Sequence, residues 1–109
     1  MKNNQFRAYI TKYMDKTYNN TIVLSVDIDS NTRRTYLYTQ LSGHCIGSFT
    51  LYFTNEYINI SYSKTNERAC KIPNIKESRQ FDYCELREVI FFLDKAVKYF
   101  IEGGKYAKN

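Results

Sequence analysis

Tryptophan is absent from this chain, proline and histidine occur once each, and glycine occurs only four times. With His44 as the single histidine, a histidine-based metal cluster is excluded. Cys45, Cys70 and Cys84 are odd in number and widely separated. They form no C-x-x-C pair and no zinc-type spacing. There is no glycine-rich phosphate loop, no Walker motif and no G-x-S-x-G nucleophile elbow. The chemistries that announce themselves by motif are therefore missing; no enzyme, metal or cofactor is expected. A long hydrophobic run is also lacking. The most apolar stretch, VIFFLDKAVKYFI, is interrupted by Asp94, Lys95 and Lys98, and no membrane span is predicted. The start, MKNNQFRAYI, has no apolar signal-peptide core, so a reduced, cytoplasmic setting is expected for the thiols.

What is present is a basic, tyrosine-rich globular composition. The 109 residues are enough for one domain, 1–109, with a core that needs no disulfide or metal, and residues 103–109 read as a frayed tail. A hydrophobic share of 43% with 25% charged residues places the chain among soluble globular proteins. Eleven tyrosines carry most of the aromatic content; each offers an apolar ring with a hydrogen-bonding tip, suited to a small wet core or to a contact surface. Lys, Asn, Ile and Tyr all use AT-rich codons, which points to an AT-rich genome such as that of a low-GC bacterium, its phages or its plasmids. The net charge of +5 favours acidic partners, but only modestly.

The hydrophobic patterning predicts an α+β fold: an N-terminal helix, an antiparallel four-stranded meander, and a long C-terminal helix packed on one sheet face. Residues 4–18 form an amphipathic helix with Phe6, Ile10, Tyr13, Met14 and Thr17 on one side and Asn4 as its cap. Alternation in TIVLSVDID marks the first strand. Strands at Arg33–Leu41, Cys45–Thr54 and Tyr57–Ser63 follow through short turns. Residues 64–80 read as a loop around Pro73, with an optional edge strand at Ala69–Ile72. The long helix, 83–102, has the clearest start signal: Asp82 as N-cap, Glu85 closing a capping box, and Phe81 with Leu86 as a hydrophobic staple. Leu86, Val89, Ile90, Leu93, Ala96, Val97 and Phe100 recur at helical spacing until Gly103-Gly104. At roughly 1.5–3 kcal/mol per large apolar side chain, this stripe belongs in a core rather than on a binding or membrane surface.

If Ile22, Leu24, Val26 and Ile28 share a face with Leu37, Leu41, Phe49, Leu51, Phe53, Ile58, Ile60 and Tyr62, the opposite face is polar and set with tyrosines. The second strand can be read in either register, and a slip of one residue would bury Tyr36 and Tyr38. The candidate binding residues are Arg33, Arg34, Tyr36, Tyr38, Tyr52, Tyr57 and Lys64. Rings can stack on bases while arginines follow phosphates, yet Tyr and Arg also dominate protein-binding hot spots. Asp27-x-Asp29 pairs two carboxylates at a strand end, and Cys84 falls in the first turn of the long helix, but neither has the partners that catalysis needs. Asp82 and Glu85 at that helix start repel a phosphate backbone. The expectation is a small non-enzymatic binding protein that occupies a surface of a macromolecular partner, protein in preference to nucleic acid, in the manner of a phage or mobile-element inhibitor of the anti-defence type. A single-stranded nucleic-acid binder using the Tyr/Arg face is the alternative. A second location for the site is the basic 64–80 segment with Lys64, Arg68, Lys71, Lys76 and Arg79.

Overall fold

A computed structural model describes residues 3–64 and 75–106, with side chains through Glu102. Helix α1 (Asn3–Tyr18) leads into strands β1 (Val23–Asp29), β2 (Arg34–Leu41), β3 (His44–Phe53), β4 (Tyr57–Lys64) and β5 (Glu77–Asp82), and helix α2 (Leu86–Tyr106) closes the chain. The strands form one antiparallel meander in chain order.

The sheet has five strands rather than four. β5 begins in the segment that reads as a loop and takes in Phe81 and Asp82, which read as the start of the long helix; its sequence, ESRQFD, hides it because only Phe81 brings an apolar side chain to the helix-covered face. Glu77 and Arg79 share that face and are accommodated by local partners. The Tyr62 hydroxyl donates to Glu77 at 2.7 Å, Lys95 lies 3.1 Å from the same carboxylate oxygen, and the Arg79 guanidinium sits 4.9 Å from the centre of the Phe81 ring. The Tyr62 hydrogen bond and then Lys95 hold the Glu77 carboxyl below its usual range. The expected edge strand at Ala69–Ile72 lies outside the described residues.

Each turn has a local cause. Ser42 and Gly43 both take positive φ (53° and 81°), the pair of left-handed residues that a two-residue hairpin requires. Asp29 accepts the Asn31 N–H at 3.1 Å to start the β1–β2 turn, and Arg33 ends it in the left-handed region at φ 57°. The Thr54 hydroxyl donates to the Tyr57 carbonyl and accepts its N–H, both at 2.9 Å, which closes the β3–β4 link.

Both helices lie on the same face of the sheet. Phe6, Ile10 and Met14 from α1 join Val89, Phe92, Leu93, Ala96, Val97 and Phe100 from α2 over Leu37, Phe49, Leu51, Phe53, Ile58, Ile60, Tyr62 and Phe81. The helices are tied to one another where Asp94 accepts hydrogen bonds from the hydroxyls of Tyr13 and Tyr18. Burial and the adjacent carboxylate raise both phenols above their ordinary pKa. Thr35 and Thr39 are buried in this apolar layer but satisfied: Arg7 Nε donates to the Thr35 hydroxyl at 2.7 Å, and the Thr39 hydroxyl donates to the Gly47 carbonyl at 2.8 Å.

Both ends of α2 depart from the expected positions. Asp82 belongs to β5, opposite Tyr57, and the helix opens at Leu86, with the carbonyl of the preceding Glu85 accepting the Val89 N–H at 3.1 Å. Glu85 does reach back to the Asp82 N–H, at 2.8 Å, but this contact closes the strand-to-helix turn instead of capping the first helical turn. At the other end α2 continues through Gly103 and Gly104 to Tyr106. A helical glycine costs about 1 kcal/mol relative to alanine, too little to end a helix anchored by this much packing.

Candidate functional site

β2 takes the register that places Leu37 in the core. It faces Phe49 on one side and Val26 on the other, so Tyr36 and Tyr38 project from the sheet face away from the helices. No described element covers that face. Three cross-strand rows define it. The first runs Ser25, Tyr38, Ser48, Ser63; the second Asp27, Tyr36, Thr50, Ser61, Ser78; the third Asp29, Arg34, Tyr52, Asn59, Gln80. Tyr57 lies beyond the third row, opposite Asp82.

The arginine and tyrosine groups meet at one end of this surface. The Arg34 guanidinium lies 4.9 Å from the centre of the Tyr52 ring, a cation–π contact that holds both side chains flat along the sheet. Arg34 Nη1 also reaches the Thr32 carbonyl at 3.3 Å, and Arg33 is exposed in the adjoining turn. Tyr38 is 38% exposed, whereas Tyr36, Tyr52 and Tyr57 are half-buried against their neighbours. Burial, followed by the Asp27 carboxylate, pushes the Tyr38 phenol above its ordinary pKa. Between the rings the surface is small and neutral: Asn59 Nδ2 donates to the Ser78 hydroxyl at 3.0 Å, and Ser61 and Ser63 are buried at its centre.

Lys64 is not part of this surface. It pairs with Gly47 on the helix-covered side, where its ammonium lies 5.7 Å from the centre of the Tyr99 ring. Lys76 approaches the same ring at 5.5 Å, and Arg79 stacks on Phe81. The members of the basic 64–80 segment that can be placed thus gather on the helix side, and Arg68 and Lys71 lie outside the described residues. Six of the seven candidate positions, all but Lys64, are therefore brought together on or beside the open face.

Other candidates resolve into structural roles. Asp27 stands beside Tyr36, and Asp29 is engaged in the turn at Asn31. Among the described residues no group of three or more His, Cys, Asp or Glu side chains could hold a metal ion. Nor is any described helix long and apolar enough to cross a membrane. Cys84 lies in the turn ahead of α2 rather than in its first turn, and is exposed; Cys45 is half-buried on β3, where its thiol donates to the Gly47 carbonyl at 3.8 Å. Because Cys84 sits outside the helix, the macrodipole has less purchase on it. Cys84→Ala should leave folding and partner binding unchanged, and thiol titration of the denatured chain, made in the cytosol and never exposed to reductant, should count three reduced thiols. Loss of binding in a folded Cys84→Ala variant would assign that thiol a direct role.

A groove between the two helices has no counterpart in the periodicity of the sequence. Tyr9, Leu86, Arg87, Ile90, Phe91 and Asp94 line an open groove between α1 and α2, with the Phe91 side chain 76% exposed. Phe91 lies between the core positions of the α2 stripe and polar neighbours, so helical spacing alone marks it as a surface residue. The one acidic group at the groove, Asp94, is already engaged by Tyr13 and Tyr18. Comparison with protein-family models, with characterised proteins and with solved structures finds no match to this chain.

Proposed function

We propose that this chain is a non-enzymatic binding protein that uses its open sheet face to occupy a surface of a partner protein. The observation that carries the reading is the composition of that face. Four tyrosines and Arg34 surround a neutral field of Ser, Thr, Asn and Gln, on five strands held from behind by a packed helix layer. Tyrosine supplies large contact area at low entropic cost, and Ser and Asn supply adaptable hydrogen bonds; protein-recognition surfaces rely on the same mixture. A rigid sheet also loses little conformational freedom on association.

Charge argues for protein over a nucleic-acid strand. Asp27 and Asp29 border the face on one side and Asp82 on the other, while Lys64 lies on the opposite side of the sheet. A phosphate-tracking groove would need the reverse balance. An inhibitor carried by a mobile element, acting by steric occupation, is the role that fits a small domain of this kind.

The test uses Arg34→Ala, Tyr36→Ala and Tyr52→Ala, singly and combined. For protein recognition, Tyr36→Ala and Tyr52→Ala should each weaken partner capture by about 1–3 kcal/mol. The triple variant should fold normally and lose capture, and nuclease treatment should have no effect. Oligonucleotide binding should stay weak and insensitive to these substitutions. Tight oligonucleotide binding whose salt dependence flattens in Arg34→Ala would instead establish the nucleic-acid alternative.

A further inference from the structure

The two edges of the sheet are protected differently. β5 carries Glu77, Arg79 and Asp82 along its length, charges that discourage another strand from pairing with it. β1 has the sequence VLSVDID, with no lysine, arginine or proline, and its charges, Asp27 and Asp29, both lie on the open face and near its C-terminal end. Its helix-side residues Leu24, Val26 and Ile28 are all apolar, and its outer edge pairs with no described strand. Val23, Val26 and Ile28 are 63%, 45% and 50% exposed. Val26 faces Leu37 and Ile28 faces Thr35 across the β1–β2 ladder, so both lie on the helix side of the sheet. They extend the apolar layer past the point where the helices cover it.

We propose that this edge is covered by a second copy of the chain, the two β1 strands pairing antiparallel about a two-fold axis at Val26. Val26 is the midpoint of Val23–Asp29, so this register engages the whole strand. It sets Val26 against the partner's Val26 and Leu24 against the partner's Ile28, a continuous apolar row on the helix side. On the other side Ser25 meets the partner's Asp27, a hydroxyl donor against a carboxylate. Asp29 meets the partner's Val23, so no two acids are opposed. An axis at Asp27 would set two carboxylates face to face, a destabilising pair. The apolar and charge patterns of β1 are therefore complementary to β1 itself, which distinguishes a second copy from an arbitrary extended peptide. Pairing satisfies the outward backbone groups of both strands and merges the sheets, with both helix layers on one side and both tyrosine faces on the other.

Sedimentation of the full chain from about 1 to about 200 micromolar decides the question, since this range spans the affinities expected of a small edge interface. The wild-type chain should pass from monomer to dimer. Val26→Lys, which opposes two ammonium groups at the axis, should weaken association at least about tenfold while leaving the thermal transition of the monomer intact. Ser25→Lys should strengthen association several-fold by adding two cross-strand pairs with the partner's Asp27, and it supports the register even if Val26→Lys fails to fold. Phe91→Lys, which charges the helix-layer groove, should change nothing. A chain that remains monomeric throughout overturns the proposal. So does a dimer that is indifferent to both β1 substitutions, or one that Phe91→Lys dissociates.

Discussion

Leu93→Ala is expected to lower the stability of the domain by about 2–5 kcal/mol, with a urea midpoint shifted well to the left and an unchanged slope. Leu93 is fully buried at the centre of the α2 stripe, in a core that also draws on α1 and on strands β2 to β5. Its truncation removes the transfer energy of the lost carbons and leaves a cavity that cannot easily close. The next residue, Asp94, is held by Tyr13 and Tyr18 on α1, which restrains the helix from sliding inward. Total stability for a domain of this size is about 5–15 kcal/mol, so the loss is a large fraction of it. The fall in melting temperature should exceed about 8 °C. A change below about 0.5 kcal/mol would show that the stripe is not core and would return it to consideration as a contact surface.

The parts of the fold legible in the sequence are those where a single periodicity governs the residues. The α2 stripe and the alternation of β3 and β4 could be read because nearly every inward position carries a large apolar side chain. The tyrosine face was only half legible: the inward residues of β2 are Thr35, Leu37 and Thr39, so alternation alone leaves its register open, and the pairing of Leu37 with Phe49 decides it. β5 was not legible, because its inward residues Glu77 and Arg79 are satisfied by Tyr62, Lys95 and Phe81, partners distant in sequence or visible only in three dimensions. Polar residues facing a helix layer mimic a loop when only one strand is in view. The misplacement of Lys64 had an available signal: Lys64 and Tyr62 are two residues apart on one strand, and the alternation that turns Tyr62 inward turns Lys64 to the same side. β1 shows the opposite failure. Its alternation is strong, but an edge strand is covered from one side only, and Val26 and Ile28 remain exposed despite facing the helix side. The acidic start signal of α2 points to the right contact but to the wrong place: Glu85 does accept the Asp82 N–H, yet Asp82 is the last residue of β5 and the helix begins only at Leu86. A hydrogen bond of that kind serves a tight turn as readily as a first helical turn.

Gly47→Val should destabilise the domain by about 3 kcal/mol or more, the upper end of what overpacking costs. At an ordinary position in a strand the same change would help, because valine is favoured over glycine there by up to about 1 kcal/mol. The sign is reversed here by one contact. A Cβ on Gly47 would stand 2.4–2.5 Å from three ring carbons of Phe100, far inside van der Waals distance. The ring cannot retreat: Phe100 is fully buried, with Phe49 and Tyr62 centred 5.5 and 5.8 Å from it and Tyr99 at 6.1 Å. Gly47 cannot retreat either, since its carbonyl accepts the Thr39 hydroxyl at 2.8 Å and its backbone is paired to both Thr39 and Lys64. The clash therefore outweighs the strand preference by a wide margin. Gly47→Ala should show the same sign at smaller size, and the combination Gly47→Ala with Phe100→Leu should be less destabilised than the sum of the single changes, because the smaller side chain vacates the space that the new methyl enters. Strict additivity in that cycle, or a stabilised Gly47→Val, would mean that Phe100 does not lie across β3 at Gly47 and that α2 crosses the sheet elsewhere.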